Sequence, residues 1–230
     1  MLGPHGLGIN AAIMHEGVVD MTKMYAALAA AAVVGLLGGT ALYIFLQQDG
    51  DAFAQCRGGQ VGGGDIGGPF TLVDQTGATV TDADVLTKPS LVYFGYTFCP
   101  DVCPLDAARN AEAVDILEEM GFDVTPVFIS IDPERDTPEV MAEYSENLHP
   151  KMVGLTGSPE QVRAASQAFR TFYRKQDGDP EFYLVDHSTF TYLTMPGIGF
   201  VDFFRREETA VQMAERVACF ASNTNVAGKN

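Results

Sequence analysis

Residues 91–104 read Leu91-Val92-Tyr93-Phe94-Gly95-Tyr96-Thr97-Phe98-Cys99-Pro100-Asp101-Val102-Cys103-Pro104. The first six form an uncharged, apolar and aromatic run, the composition of a strand buried on both faces of a sheet. From Asp101 to Met120 the pattern becomes a stripe. Ala107, Ala111, Val114 and Leu117 recur at helical spacing, and Gly121 stands where a helix would end. A buried strand feeding directly into a helix opens a β–α–β unit, and two cysteines lie at the junction.

Downstream, Val124–Ile131 reads as a second buried strand. Thr137-Pro138 opens a helix with proline in the first turn, where its missing N–H costs nothing. Ser158-Pro159-Glu160-Gln161 opens another with the form of a capping box. Strands follow at Phe182–Val185, Phe190–Leu193 and Gly199–Phe204, then a last helix from Glu207 to about Phe220. Upstream, Phe70–Val73 and Ala78–Thr81 flank Gln75-Thr76-Gly77 as a short hairpin. The succession of hairpin, strand, helix, strand, helices, late strands and helix predicts an α/β fold with a parallel core and right-handed crossovers. Ligands in such sheets collect at the carboxyl ends of strands, where the cysteine pair falls.

Further upstream, Met24–Leu46 holds 23 residues without a charge. As a helix it reaches about 35 Å, enough to cross a hydrocarbon core of about 30 Å. Lys23 precedes it while Asp49 and Asp51 follow, so the positive-inside rule keeps the N-terminus cytoplasmic and exports the rest to the periplasm. Ala52-Phe53-Ala54 resembles a cleavage site, but the apolar run exceeds a signal peptide's 7–15 residues, which favours an uncleaved inner-membrane anchor. The stretch from Asp49 to Gly68 holds eight glycines in twenty residues and reads as a linker too flexible to pack. The expected organisation is a short tail (1–23), a transmembrane anchor (24–46), a Gly-rich linker (47–68), a folded domain (69–222) and a C-terminal tail (223–230).

Net charge is −16, and residues 47–230 alone carry 28 acidic and 13 basic side chains. The longest basic cluster is the pair Arg205–Arg206, so a phosphate backbone would be repelled and nucleic-acid binding is excluded. The four cysteines stand at 56, 99, 103 and 219, too few for a disulfide-built scaffold. In an exported domain their thiols oxidise unless something keeps them reduced.

Cys99 and Cys103 lie four apart at the mouth of a helix, where N–H groups and the macrodipole favour thiolate. Thiolate is both nucleophile and metal ligand. Two intervening residues would mark a redox motif; three let the sulfurs straddle an ion. Spacing alone leaves chelation and dithiol chemistry level, with an inert disulfide as the third reading. A phosphatase loop, suggested by Arg109 six residues after Cys103, is rejected because Pro104 removes a cradle N–H and Asp106 adds a negative charge.

The segment FGYTFCPDVCP resembles the metal motif of the Sco/SenC family of copper-delivery proteins. SIDPERDTP, from Ser130 to Pro138, matches that family's second signature, and VDHSTFTYL carries its histidine. The resemblance spans roughly residues 66–220 and includes the anchor-and-linker arrangement. It implies a thioredoxin-like fold and a copper site of Cys99, Cys103 and His187, Cu(I) or Cu(II). It also implies delivery to the dinuclear copper centre of cytochrome c oxidase subunit II or another terminal oxidase, with a copper donor protein upstream. Soft thiolates suit Cu(I) and imidazole suits either state, although zinc accepts the same ligands. Asp186 is placed to orient His187 or add a weak ligand. Thioredoxin-like oxidoreductases carry a cis-proline facing the pair. No proline occurs between Glu181 and Thr194, which favours holding a metal.

The loop from Asp132 to Asp136 reads either as a solvated turn or as a docking or site-shaping loop. Cys56 and Cys219 have no role in the family pattern; they either form an added disulfide or leave one buried thiol. His149 is expected in solvent and Met195 in packing. The expected function is that of a carrier rather than an enzyme, a copper metallochaperone. The alternatives are a thiol–disulfide oxidoreductase and a redox or copper sensor.

Overall fold

The computed structural model describes residues 21–46, 53–58, 66–179 and 181–227. The chain divides into two units, residues 1–51 and residues 52–230. In the first, α1 (Met21–Leu46) runs 26 residues and begins three residues before the expected Met24. Its length is about 39 Å, and it is apolar enough to cross a membrane. The Thr40 hydroxyl donates to the Leu36 carbonyl at 2.7 Å, so this polar side chain is satisfied within the helix.

The second unit is a mixed α/β domain. The hairpin is β1 (Thr71–Asp74) and β2 (Thr79–Thr81), antiparallel with Leu72 opposite Val80. Asp74 Oδ1 accepts from the Thr76 and Ala78 N–H groups, and Gly77 takes φ +85°, which closes the turn. A single short turn, α2 (Asp82–Val85), leads to β3 (Ser90–Gly95), buried along its whole length as its composition predicts. Then come α3 (Val102–Glu119), β4 (Thr125–Ser130), α4 (Pro138–Leu148), β5 (Val153–Thr156) and α5 (Pro159–Ala168). The chain ends with β6 (Tyr173–Lys175), β7 (Val185–His187), β8 (Thr191–Met195), β9 (Gly199–Phe204) and α6 (Ala210–Ala227).

Seven strands form the main sheet in the order β2-β1-β5-β4-β3-β8-β9, and β6 and β7 pair as a separate ribbon. β3, β4 and β5 are parallel, while β8 runs antiparallel beside β3 and β9 beside β8. One face packs Leu91 and Leu193 against the α3 stripe (Val114, Leu117) and against Met213 and Val217 of α6. The other stacks Phe94 and Tyr192 on Phe169, the residue that ends α5. Val114, Leu117, Ala107 and Ala111 are all buried, and Gly121 takes φ +87° after the helix.

The expected helix starts hold at Thr137, whose side chain accepts from the Val140 N–H, and at Ser158, whose capping box is complete. The last helix begins at Ala210 rather than Glu207. Thr209 and Gln212 exchange hydrogen bonds, N–H to side-chain oxygen in both directions, which makes Thr209 the cap. Three short elements, α2, β5 and β6, were not expected. The strand expected at Phe182–Val185 starts only at Val185, because its partner β6 ends at Lys175, directly opposite Val185.

The stretch read as a linker differs over its described part. Phe53 and Cys56 are buried, the Phe53 ring meets Phe220 at 5.2 Å, and Cys56 is disulfide-bonded to Cys219 of α6. One aromatic anchor and a covalent tie hold residues 53–56 against α6.

Candidate metal centre

The cysteine turn lies at the carboxyl end of β3. The Cys99 N–H donates to the Tyr96 carbonyl at 3.3 Å, folding the chain back so that α3 starts with Asp101 as its cap. Cys103 is then the second residue of the helix, and its N–H donates to Cys99 Sγ at 3.3 Å. His187 arrives from β7, 84 residues later, with Nε2 at 3.2 Å from Cys103 Sγ. The ligating atoms of Cys99, Cys103 and His187 all lie within 4.8 Å of one another.

The tautomer of His187 follows from its other nitrogen. Nδ1 lies 2.8 Å from the Ser188 carbonyl, which only accepts, so Nδ1 carries the proton and Nε2 offers its lone pair to the site. The ring is held edge-on by Tyr93 and Tyr96, with centroids at 6.2 and 5.9 Å. Asp186 does not take the orienting part. Its carboxylate receives Arg174 at 2.9 Å and Gln176 at 2.6 Å, because alternation along β7 turns it to the opposite face.

The two sulfurs share one helix mouth but differ in acidity. Burial acts to raise the Cys99 thiol, yet the N–H groups of Asp101 and Cys103, the Cys103 thiol and the Tyr96 hydroxyl outweigh it and hold it below the ordinary range. Cys103 is fully enclosed, and burial followed by the neighbouring Cys99 pushes its thiol well up. Burial also lowers His187, favouring the neutral ring a metal needs, and pushes Tyr96 up to about 12.

Behind the trio stands a buried polar group that sequence reasoning missed. The Tyr93 hydroxyl donates to Asp106 Oδ2 at 3.0 Å, and Asp106 pairs with Arg109 at 3.4 Å and Arg206 at 3.5 Å. Asp106 falls three residues after Cys103 on the buried side of α3; a charge in an otherwise apolar stripe was the available signal. Arg109 donates to the carbonyls of Arg205 and Arg206, a role in packing and not in a phosphate cradle.

The loop from Asp132 to Asp136 is not a solvated turn. Both aspartates are buried, and Asp136 accepts from the Thr97 N–H, the Thr97 hydroxyl and the Ser130 hydroxyl. Burial raises its carboxyl above the usual range. This network fixes the residue two before Cys99, so the loop shapes the site. His149, expected in solvent, is buried. Its Nδ1 accepts from the Lys151 N–H at 3.0 Å and its Nε2 faces Asp115 at 3.2 Å, satisfying the chain where α4 ends. Met195 is buried in the core, as expected. An open cleft of about 780 Å³ lies at the other end of the sheet, where Lys88 and Lys151 are paired with Asp123 and Glu118.

Residues 59–222 match the SCO1/SenC family model. Protein SenC of Rhodobacter capsulatus is 55% identical over 205 residues, covering 88% of this chain and 92% of SenC. The crystal structure of Arabidopsis thaliana ScoI with copper bound superposes with a TM-score of 0.65 at 41% identity, covering 68% of this chain and 99% of that one. Yeast Sco1 with copper bound gives a TM-score of 0.66 at 32% identity over 73% of this chain and 96% of that one. The domain therefore has the thioredoxin-like fold of the copper-bound Sco structures, preceded by an apolar helix.

Proposed function

This chain belongs to the SCO1/SenC family, and from that membership we propose that it is a membrane-anchored copper metallochaperone. One copper ion is held by Cys99, Cys103 and His187 as cargo. The observation that carries the reading is the convergence of two sulfurs and a bare imidazole nitrogen within 4.8 Å, from segments 84 residues apart. The donor set fits copper: soft thiolates favour Cu(I), and the imidazole keeps a ligand suited to Cu(II). Structures of relatives hold copper, which favours it over zinc. Binding displaces the thiol protons, and the His187 tautomer fixed by Ser188 needs no change to accept the ion.

The recipient is the dinuclear copper centre of cytochrome c oxidase subunit II or another terminal oxidase, since the Sco family comprises cytochrome c oxidase assembly proteins. A donor protein supplies the ion. Residues 24–46 anchor the chain in the inner membrane with the N-terminus cytoplasmic, 47–68 connect, and 69–222 carry the site in the periplasm. An anaerobic Cu(I) titration of the reduced full-length protein in detergent should saturate at about one ion per chain, followed by transfer to the apo oxidase fragment. His187→Ala should weaken retention; full retention in that variant rules out the three-ligand site.

The unequal sulfurs support a second reading, a thiol–disulfide oxidoreductase. The Cys99 thiolate attacks a target disulfide and releases one target thiol. Cys103 then attacks the mixed disulfide at Cys99, releasing the second thiol and leaving a Cys99–Cys103 disulfide. Reduction of an oxidised subunit II fragment by the metal-free dithiol, unchanged in His187→Ala, distinguishes this activity from copper transfer.

A further inference from the structure

The two halves of the site are carried by elements of unequal support. Cys99 follows β3, a central strand of the seven-stranded sheet, whereas His187 ends β7 in a two-stranded ribbon outside it. A ribbon of that size is marginal by itself, so something must hold it against the cysteine turn.

The Arg135 side chain lies between them. Its guanidinium carbon stands 3.7 Å from the centroid of Tyr183 and 4.6 Å from that of Phe98. Phe98 immediately precedes Cys99, and Tyr183 lies four residues before His187. Asp132 secures the arrangement from below: one carboxylate oxygen takes the Arg135 Nε–H and the other takes the Tyr183 hydroxyl at 2.6 Å. Lys175 of β6 covers the opposite side, 3.6 Å from the Tyr183 centroid and 2.9 Å from Glu134. The Val185 N–H donates to the Tyr96 hydroxyl at 3.2 Å, a second tie between ribbon and turn.

We propose that Arg135 is a positioning residue that clasps the ribbon bearing His187 to the turn bearing Cys99, assembling the ligand trio before an ion arrives. This rests on the reading of the trio as the metal site. The alternative use of such an arginine is to dock a partner's carboxylate, which needs its terminal N–H fork in solvent. Here both terminal nitrogens of Arg135 are buried and lack a hydrogen-bond partner. The planar faces make the contacts, and the fork is enclosed. A lysine keeps the charge but loses the plane, so the clasp depends on arginine in particular.

The test begins with the metal-free, reduced full-length protein. In Arg135→Gln the amides of Gln176 and Val185 should exchange about tenfold faster or more, with those of β3 and β4 unchanged. Arg135→Lys should fall between, and Tyr183→Leu, which removes the ring on one face, should reproduce the local effect. After Cu(II) loading, the Arg135→Gln protein should still bind about one ion per chain. Its electron paramagnetic resonance spectrum should lose part of the nitrogen hyperfine coupling from His187. Ribbon exchange within twofold of wild type in both Arg135→Gln and Tyr183→Leu overturns the proposal. Uniform acceleration that includes β3 and β4 overturns it equally, since Arg135 would then support the whole fold. A wild-type protein that binds no copper would defeat the metal reading while leaving the exchange result intact.

Discussion

At Cys99 and Cys103 one helix mouth holds two sulfurs of opposite acidity, because N–H donation prevails at the first and burial at the second. Cys99 sits outside the helix and collects N–H donors, whereas Cys103 lies inside it and loses solvent. Alkylation tracks thiolate, so Cys99 should react along a pH profile displaced below the ordinary thiol value of about 8.5. Cys103 should stay silent across the same range, its profile displaced upward. Mass mapping after limited iodoacetamide treatment of the metal-free protein checks this, and preferential labelling of Cys103 would contradict it. The pair was legible as a reactive dithiol from its place after Tyr96, and the helix mouth was read as acting on both sulfurs alike. The split between them was not, since it depends on which sulfur the folded core encloses. His187 was legible only through the family resemblance, because no local pattern links a residue 84 positions away to a cysteine turn.

Elements with strong periodicity were readable; those defined by contact were not. β3, α3 and β4 announce themselves by apolar runs and stripes. β5 is four residues long with Gly154 inside it, a residue that normally weakens a strand reading. The structure shows why glycine is there: a Cβ would stand 2.4 Å from Ser145 Oγ and 3.1 Å from Met141 Cε, where α4 crosses closely. Gly154→Ala should therefore cost about 1–3 kcal/mol, seen as a lower thermal midpoint with copper stoichiometry unchanged. A midpoint equal to wild type would mean that α4 shifts freely. β6 escaped, and β7 was expected a few residues early, for another reason. The strands of their ribbon are three residues each, and Arg135, which packs on Tyr183 beside the ribbon, lies 48 positions from that tyrosine in sequence.

Across the whole molecule, the tie between Cys56 and Cys219 spans 163 positions, so it encloses nearly the entire domain. Replacing both with serine should lower stability by about 2–5 kcal/mol, read as a reduced denaturant midpoint, while the copper stoichiometry stays at one. A double variant as stable as wild type would show that Phe53 and its packing suffice. Four cysteine sulfurs of two kinds also make the chain its own gauge. Titrated with a thiol reagent after denaturation, a molecule ready to take up copper reports two free sulfhydryls. One whose Cys99 and Cys103 have joined reports none, and one stripped of its far staple reports four. The integer separates failed loading caused by a closed site from failed loading in a molecule whose pair is still open, a distinction that metal content alone leaves blurred.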